Sequence, residues 1–490
     1  MAQSLTSIPE DLLFDIMCRL DGPSILSMAM SCRALYQIFQ SDTIKYIYEL
    51  DMSSMQDAGS GKPAAELLDA LRDREKAWAD LNWSSVEIVK ADPHSMAYDH
   101  VAGAFAQTDG RNISVHWLPS ISKTENRTTT RLDTGFWVRD FMLDVGEDLV
   151  VFLHKERLPG GTFHGRLYCR TISTNEPHSA CLSAGPLSFQ FYLDGGIIPL
   201  TEELEVVEDV LFLTTSDNRG PRILIWNWKM GFLIHDFRDQ LPPLIHELDV
   251  VQRDVFIVAS RADSGKILIY QITPTMVCIP VLIATLSLPG TNGPYIRHFQ
   301  AESGRYQHRP TPGALFLPSP TSRMHVFAIG YSSGLEGLLF VRSSTFSRYV
   351  HCRNEGLEVA WSEWGEQESR FLEKRLRQGW RRYAHGNRIV CIQKYLDSTW
   401  IEVLNFSSST SLTSRSAPGL HARQGCFRHD NPTIIEKGDT FEEDVVTRLP
   451  YHVASRKVSG KTPFSCMIDE DRIVGLEFVY DALELTVYSF

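Results

Sequence analysis

The spacing of hydrophobic residues divides the chain near residue 84. Before this point apolar positions recur with a helical period, first in a wide stripe formed by Leu12, Leu13, Ile16, Met17 and Leu20. Shorter stripes at 25–32 and 35–39 predict a second and a third helix. After residue 84 short apolar runs alternate with Gly, Pro, Asp and Asn, which predicts strands and turns. We therefore expect a small helical region followed by a large all-β region.

The ends of the first helix carry local signals. Ser7 and Glu10 have the S-x-x-E spacing of a capping box, in which the hydroxyl accepts a backbone N–H and the carboxylate reaches back. The turn DGP at 21–23 ends the helix, because Gly permits a left-handed cap and Pro suits the first turn of the next helix. The sequence thus predicts three short helices before Leu50.

A polar segment and one longer helix follow. Residues 52–63, MSSMQDAGSGKP, are small and polar, which predicts a flexible connection. Beyond them Leu67, Leu71, Trp78 and Leu81 share one helical face, and charged residues occupy mostly the other side. We expect this helix to dock against the next domain, since about two heptads are too few for a coiled coil.

The β region contains a series of paired apolar runs. The runs pair within 100–118, 147–172, 208–231, 253–272, 324–343, 386–407 and 470–490. A radial stack of small sheets accommodates such a series, because each sheet covers its neighbour and only short edges stay exposed. The last run ends at Phe490, and 84–90 is expected to complete the same sheet and close the ring.

The predicted fold class is therefore mainly β. It is an irregular, seven-bladed β-propeller-like domain preceded by a small three-helix unit and a connecting helix. The uneven spacing of the runs indicates blades with variable loops. A pair of β-sandwiches remains the alternative fold.

Net charge and cysteine usage limit the ligand classes and the cellular compartment that we expect for the protein. A net charge of -12 argues against a general nucleic-acid binder, because phosphate contacts require Lys and Arg to displace counterions. The nine cysteines are scattered without a C-x-x-C pair, which fits a reducing compartment. The start lacks the pattern of a secretory signal, and the apolar stretch at 276–288 is too short to span a bilayer. We expect a soluble protein of the cytoplasm or nucleus.

The amino-terminal pattern resembles the F-box, which begins with an apolar-Pro-x-acidic-Leu segment and continues through Ile, Leu, a turn and a second apolar helix. The matching positions are Ile8, Pro9, Asp11, Leu12, Ile16, Leu20, Ile25, Leu26, Ala29 and Cys32. The pattern departs at Ile8, which replaces the usual Leu, and at 22–24, which replaces the usual acidic turn. Neither change removes an apolar contact.

The resemblance implies a division into an F-box at 1–50, a linker and connecting helix at 51–83, and a β-propeller-like substrate-recognition domain at 84–490. It also implies that a Skp-type adaptor binds the F-box and links it to a cullin. The chain would then be the substrate-recognition subunit of an SCF-type ubiquitin ligase, with no catalytic residue and no cofactor of its own, binding an unknown target protein. Three helices in about 40 residues bury too little surface alone, so a partner should cover the remainder. The expected adaptor contacts are Ile8, Pro9, Leu12, Leu13, Ile16, Leu20, Ile25 and Leu26.

The β region carries two weaker resemblances. The run 223–231 looks like the third strand of a WD-repeat blade, with Trp226-Asn227 where Trp-Asp would stand. The arrangement is also similar to fungal F-box proteins with a long carboxy-terminal β region, through ISTNEPH at 172–178 and FEEDVVTRLPY at 441–451. These features imply an architecture more than a substrate.

One short motif raises a catalytic alternative. The sequence GYSSG at 330–334 satisfies G-x-S-x-G, with Ser332 at the nucleophile position of a serine hydrolase. That role requires a strand, a sharp turn and a helix, whereas the residues that follow predict another strand. A Ser-rich hairpin turn is the favoured interpretation. The sequence contains no H-E-x-x-H motif and no P-loop, so we expect neither a metal nor a nucleotide cofactor.

The most concentrated charge lies at 370–388, where Arg and Lys surround three aromatic residues. Such a patch can bind single-stranded nucleic acid by stacking, which makes an RNA-binding scaffold a further alternative. It can equally receive an acidic or phosphorylated peptide through paired hydrogen bonds from guanidinium groups. The favoured interpretation is an amphipathic loop between blades with its Arg face in water. Possible target-binding residues are Arg377, Trp380, Arg381 and Arg382.

Overall fold

The computed structural model describes residues 8–120, 129–158, 162–183, 185–192, 202–217, 219–242, 244–350, 356–373, 380–395, 398–408, 415–416, 425–458 and 462–490. Its first part is helical and comprises α1 (Glu10–Met17), α2 (Gly22–Ser31), α3 (Arg33–Phe39) and α4 (Asp42–Met52). The sequence prediction of three helices was incomplete, because Ser41 caps a fourth helix by accepting a hydrogen bond from the backbone N of Ile44 at 3.4 Å. Ile44 is buried with residues of α1, α2 and α3 in one small core.

The helix ends differ from the prediction in detail. The N-cap of α1 is Pro9, which makes no side-chain capping hydrogen bond, and the predicted cap Ser7 lies outside the described residues. Gly22 is the first residue of α2 instead of a left-handed cap. Here the Asp21 side chain accepts a hydrogen bond from the Ser24 backbone N at 2.9 Å, which satisfies one of the free donors at the start of a helix.

The connection to the β region is more ordered than predicted. Within 52–63 the short strand β1 (Met55–Asp57) forms, and it is followed by α5 (Ala64–Ala79), the predicted connecting helix. A distant strand in the β region, Phe316–Pro318, pairs antiparallel with β1. The hydroxyl of Tyr46 also donates to Asp57 at 2.7 Å. The segment is therefore held to the propeller and to α4 through Met55–Asp57.

Seven sheets form the blades of a β-propeller, which confirms the predicted fold. After β2 (Ser85–Ala91), blade 1 contains β3 (Ala97–Val101), β4 (Ala104–Thr108), β5 (Asn112–Trp117) and β6 (Thr130–Asp133). Blade 2 contains β7 (Asp140–Asp144), β8 (Leu149–Arg157), β9 (Thr162–Thr171) and β10 (Leu187–Tyr192). Blade 3 contains β11 (Glu203–Val207), β12 (Val210–Asp217), β13 (Gly220–Asn227) and β14 (Phe232–Phe237).

Blades 4 and 5 carry additional elements. Blade 4 contains β15 (Ile245–Gln252), β16 (Val255–Ser260), β17 (Lys266–Gln271) and β18 (Val281–Ser287), and blade 5 begins with β19 (Ile296–Ala301). The partner of β1 is β20 (Phe316–Pro318), and it precedes a 3-10 turn (Pro320–Ser322), β21 (Met324–Tyr331), β22 (Glu336–Arg342) and α6 (Ser343–Val350). Next, β23 (Leu357–Val359) adds to blade 4 in parallel, and after α7 (Trp361–Glu368) the strand β24 (Ser369–Glu373) completes blade 5.

Blade 6 is interrupted by a long insertion. It contains β25 (Ala384–His385), β26 (Arg388–Tyr395), β27 (Ser398–Asn405), β28 (Arg415–Ser416), β29 (Gly425–His429) and β32 (Tyr451–Val458). Between them β30 (Thr433–Ile435) pairs with β31 (Val445–Thr447). Blade 7 contains β33 (Ser465–Ile468), β34 (Arg472–Val479) and β35 (Ala482–Ser489). Such insertions explain the uneven spacing of the apolar runs.

The ring closes as predicted, because β2 pairs antiparallel with β35 and supplies the outer strand of blade 7. Six buried clusters fill the spaces between neighbouring blades. The cluster that joins blade 7 to blade 1 includes Val474, Leu485 and Phe105. This continuous ring of hydrophobic contacts contradicts the alternative of two β-sandwiches.

The seven predicted pairs of runs coincide with the second and third strands of the blades. The first pair differs slightly, because its first run contains the turn at Ala102 and Gly103 between β3 and β4. Trp226-Asn227 ends β13, the third strand of blade 3, as the WD-like pattern predicts.

Candidate functional site

The helical region leaves several large apolar side chains in solvent. The exposed fractions are 53% for Leu12, 40% for Ile16, 36% for Leu26, 76% for Met30 and 53% for Tyr36. Leu12 and Ile16 are one turn apart on α1, and Leu26 and Met30 are one turn apart on α2. An exposed apolar surface of this kind is typical of a protein-binding face.

The predicted adaptor contacts separate into exposed and buried groups. Pro9, Leu12, Ile16 and Leu26 are exposed. Ile8 and Leu20 are half-buried and pack against the helical core. Leu13 and Ile25 are only 4% and 0% exposed, so they form that core and cannot contact a partner directly in this structure. Their apolar character reflects the second face of each short helix, which must pack against its neighbours.

Met30 and Tyr36 belong to the exposed face and were not among the predicted contacts. Residue spacing could have identified Met30, because it lies four residues after Leu26 and therefore on the same outer side of α2. Tyr36 lies between the buried residues Leu35 and Ile38 of α3, and its outward direction depends on how α3 packs.

The connecting helix α5 joins this face firmly to the propeller. The indole of Trp78 stacks on Phe490 with ring centroids 3.9 Å apart, and the Arg388 guanidinium lies 4.6 Å from its ring centroid. Glu75 accepts from Arg388 at 2.6 Å, and Arg74 bridges Glu75 and Glu470. The two parts of the chain thus share a buried contact of aromatic and ionic groups, as the docking of this helix predicts.

The helical region and one cavity of the described residues lie on opposite faces of the propeller. The inner strands of the blades line the central channel, and Glu470 lies in the turn after the inner strand β33. Strand β20, the partner of β1, likewise follows the inner strand β19. By contrast, the cavity is bordered by Ala97, Asp140 and Glu203, the first residues of the inner strands β3, β7 and β11.

This cavity, the channel-mouth pocket, has a volume of about 320 Å³. Its wall consists of Met96, Ala97, Tyr98, Asp140, Phe141, Glu202, Glu203, Leu204, Thr214, Glu247, Arg305, Arg381 and Arg382. Apolar and charged side chains therefore meet at one opening of the central channel. Pockets with a few convergent polar groups in an apolar wall are typical binding sites.

Two described arginines of the basic stretch at 370–388 pair with carboxylates of the propeller. Arg381 contacts Glu203 at 2.7 Å and Glu247 at 2.5 Å, and Arg382 contacts Asp99 at 2.9 Å. Both arginines are thus neutralised by carboxylates of the inner strands, so these two do not form the predicted solvated Arg face. Lys374, Arg375 and Arg377 lie outside the described residues. Guanidinium groups held in this way are not free to bind the phosphates of RNA.

The other residues of this stretch support the same conclusion. Arg370 is 1% exposed and donates to the carbonyls of Leu449 and Asn431, while Arg388 is held by Glu75. Trp380 is half-buried and packs on Tyr98, with ring centroids 4.1 Å apart. Of the predicted target contacts, Arg381 and Arg382 therefore line the pocket, Trp380 packs against its wall residue Tyr98, and Arg377 lies outside the described residues.

Burial shifts the acid–base equilibria of the pocket. Desolvation, with a smaller contribution from Glu203, raises the pKa of Glu247 to about 7. Desolvation also raises the pKa of Asp140 to about 6 and lowers the pKa of Lys155, which lies beside Glu202, to about 7. Each shift follows from the cost of holding a charge away from water.

The structure places Ser332 in the hairpin turn between β21 and β22. Its hydroxyl oxygen accepts a hydrogen bond from the Tyr295 backbone N at 3.1 Å. Strands lie on both sides of the turn, as the favoured interpretation predicts, so the strand–turn–helix geometry of a nucleophile elbow is missing here.

A different set of residues has the connectivity of a catalytic triad but is buried. His325 contacts Asp249 at 2.6 Å through Nδ1 and Ser343 at 2.7 Å through Nε2. His325 is 0% exposed and Ser343 is 1% exposed, so no substrate reaches the hydroxyl. Arg323 also contacts Asp249 at 3.0 Å. This network ties β15 of blade 4 to β21 of blade 5 and has a structural role.

The described residues contain neither a membrane-spanning helix nor a metal-binding cluster. None of the helices within them is long and apolar enough to cross a membrane. The same residues contain no group of three or more His, Cys, Asp or Glu side chains arranged to hold a metal ion.

Comparison with known proteins assigns the amino-terminal region. Residues 5–46 match the family model for the F-box domain, so the chain contains an F-box domain followed by a seven-bladed β-propeller. F-box domains generally bind Skp1-type adaptors, and both folds are typically non-catalytic scaffolds. No curated protein matches the chain.

Solved structures resemble this chain only distantly. Raptor from Chaetomium thermophilum is 11% identical over 99% of this chain and 40% of its own, with a TM-score of 0.38. The WD40 β-propeller domain of Doa1 is 11% identical over 82% of this chain and 95% of its own, with a TM-score of 0.32. Hsv2 from Kluyveromyces lactis is 11% identical over 64% of this chain and 94% of its own, with a TM-score of 0.32. Values this low carry no functional information.

Proposed function

We propose that the protein is the substrate-recognition subunit of an SCF-type ubiquitin ligase. In this role the F-box binds a Skp-type adaptor, the adaptor joins it to a cullin, and the propeller binds the target protein. The observation that carries the proposal is the exposure of Leu12 and Ile16, at 53% and 40%, on a domain that matches the F-box family. Covering such side chains is favourable, at about 25 cal/mol for each Å² of apolar surface removed from water.

The contribution of the chain to ubiquitin transfer is positional. A target held on the propeller meets the conjugating enzyme as a neighbour, so that a bimolecular encounter becomes a local one. This mechanism requires a firm connection between the two binding faces. The buried contact of α5 with the propeller, through Trp78 and Glu75, supplies that connection.

The opposed positions of the two faces suit this role. The F-box side of the molecule adjoins the ends of the inner strands, whereas the channel-mouth pocket adjoins their beginnings. A target bound at the pocket would leave the adaptor face free. The proposal therefore assigns the channel-mouth pocket and its rim to the target, and it places the protein in the cytoplasm or nucleus, where ubiquitin ligases of this type act.

Adaptor capture by the full-length chain tests the proposal. The chain is co-expressed with a tagged Skp-type adaptor and recovered through the tag. We expect the wild type to co-purify and the double variant Leu12→Ala, Ile16→Ala to be lost, because truncation removes two of the exposed apolar contacts.

A matched control is available on the propeller. Val86 and Ile88 are exposed to nearly the same extent, at 51% and 53%, on the outer strand β2. The double variant Val86→Ala, Ile88→Ala should be captured like the wild type. Equal capture of the variant at 12 and 16, with its β-rich circular dichroism spectrum intact, would contradict the proposed adaptor face.

A further inference from the structure

The chemistry of the channel-mouth pocket points to one class of target side chain, an inference that rests on the proposed function. More carboxylates than cations surround the pocket among the described residues. The carboxylates are Asp99, Asp140, Glu202, Glu203, Glu205, Glu247 and Glu302. The cations are Arg139, Lys155, Arg305, Arg381 and Arg382. Carboxyl groups thus outnumber cationic groups around the pocket by seven to five.

The cations that are present are already engaged. Arg381 uses both terminal nitrogens on Glu203 and Glu247, and its backbone N donates to the Tyr98 hydroxyl at 2.7 Å. Arg305 is shared between Asp99 and Glu205. An acidic or phosphorylated ligand would have to displace these buried carboxylates, and leaving a buried charge without its partner is costly.

Two carboxylates of the pocket wall, in contrast, each have a buried oxygen without a hydrogen-bond partner. Glu247 is 5% exposed and lines the pocket, and while its Oε1 accepts from Arg381, its Oε2 has no hydrogen-bond partner. The Oε2 atom of Glu203, on the same side of Arg381, is likewise buried without a partner. A buried polar atom of this kind normally has a partner, so each of these oxygens lacks a donor that a ligand can supply.

The rest of the wall suits the aliphatic part of a long cationic side chain. Met96, Tyr98, Phe141 and Leu204 contribute apolar surface beside the carboxylates. Lys and Arg side chains bury their methylene stems along such surfaces while their charged ends find polar partners. The volume of about 320 Å³ leaves room for a side chain to enter from the channel mouth.

We propose that the channel-mouth pocket binds a lysine or arginine side chain of the target protein, with Glu203 and Glu247 as its acceptors. The ammonium or guanidinium group takes the place of the missing donor, and Tyr98 and Phe141 flank its stem. The pocket thus prefers a positively charged side chain, whereas the arginine-rich sequence indicated a negatively charged ligand. The target signal would then be a basic segment and not an acidic or phosphorylated one.

A peptide selection on the full-length chain tests this inference. Four heptapeptide mixtures carry Arg, Lys, citrulline or phosphoserine at the central position, and their six flanking positions are randomised. We expect the Arg or the Lys mixture to be retained at least about tenfold better than the citrulline mixture, because citrulline keeps the shape of arginine without its charge. Equal retention of citrulline, or preferential retention of phosphoserine, would overturn the inference.

Variants locate the binding within the pocket. Glu247→Gln and Glu203→Gln should each reduce retention of the basic mixture by about tenfold. Glu87→Gln, on the exposed part of β2, serves as the control and should behave like the wild type. Undiminished retention by both pocket variants would place the basic ligand elsewhere and refute the assignment.

Adaptor capture, measured on the same preparations, separates this inference from the proposed function. A chain that captures the adaptor but shows no basic preference overturns only the pocket assignment. A chain that shows the basic preference but captures no adaptor overturns the ligase role and leaves the pocket assignment standing. Neither result depends on the F-box variants.

Discussion

The buried ionic contact between α5 and the propeller yields a prediction with a definite size. Glu75 is 5% exposed and its Oε1 atom lies 2.6 Å from both Arg74 and Arg388. The change Glu75→Gln removes its charge and leaves these two buried guanidinium groups with Glu470 as their shared carboxylate partner. Breaking one side of a buried ion pair costs about 3–5 kcal/mol, and because the amide oxygen can still accept a hydrogen bond, we expect the lower end of that range.

Urea unfolding monitored by circular dichroism measures this cost. The free energy of unfolding of Glu75→Gln should fall by about 3 kcal/mol relative to the wild type. Glu66→Gln, an exposed position on the same helix, should change it by less than about 0.5 kcal/mol.

A double variant sharpens the test. Adding Arg388→Gln to Glu75→Gln removes one of the two guanidinium groups that would otherwise share Glu470, so part of the lost stability should return. If Glu75→Gln unfolds like Glu66→Gln, or if the double variant is destabilised by the full sum of the single changes, the ionic contact does not hold α5 to the propeller as argued.

Three further predictions concern the pocket, the buried triad and the hairpin serine. Burial raises the pKa of Glu247 in the folded state to about 7, so the folded wild type loses a stabilising proton as the pH rises. Glutamine does not titrate. The free energy of unfolding of Glu247→Gln, measured in urea, should therefore increase relative to that of the wild type by up to about 3 kcal/mol between pH 5 and pH 8. The raised pKa would be contradicted if the difference in unfolding free energy between the variant and the wild type were the same at both pH values. His325→Ala should lose about 3 kcal/mol at pH 7, because Asp249 and Ser343 lose a buried partner, and a stable variant would refute the structural role. Ser332→Ala should leave labelling by a fluorophosphonate probe unchanged, whereas loss of labelling would restore the hydrolase alternative.

The propeller could be predicted because its strands carry their own signals. Runs such as 208–231 and 253–272 alternate apolar stretches with polar turns, and each run forms a hairpin with its neighbour in sequence. The order of the blades follows from the chain order. Ring closure was predicted from the position of the last run, with 84–90 expected to complete its sheet, and the pairing of β2 with β35 confirms it.

The channel-mouth pocket could not be predicted, because its partners are distant in sequence. Arg381 meets Glu203 and Glu247, which are 178 and 134 residues away, and Arg382 meets Asp99, which is 283 residues away. Nothing local to 380–382 indicates which carboxylates the ring brings to these arginines. The dense run of Arg residues therefore predicts a basic surface, although the fold pairs Arg381 and Arg382 with carboxylates of the inner strands.

The binding face of the helical region could be predicted only in part. Its apolar stripe predicted a partner face, but the stripe on α1 contains both the outward Leu12 and the inward Leu13. Adjacent residues on a helix point about 100° apart, so the direction of each depends on the packing of the other helices. Helix α4, whose residue Ile44 completes the core, was missed and decides which side remains free.

Calorimetric titration of the full-length chain with a purified Skp-type adaptor tests the central claim most directly. The account predicts saturable one-to-one binding with a negative heat-capacity change, as expected when apolar surface is buried. The variant Leu12→Ala, Ile16→Ala should weaken binding by about 3 kcal/mol, which is more than about a hundredfold in Kd. Absence of binding by the wild type, or equal binding by the variant, would contradict the claim that this exposed face receives an adaptor.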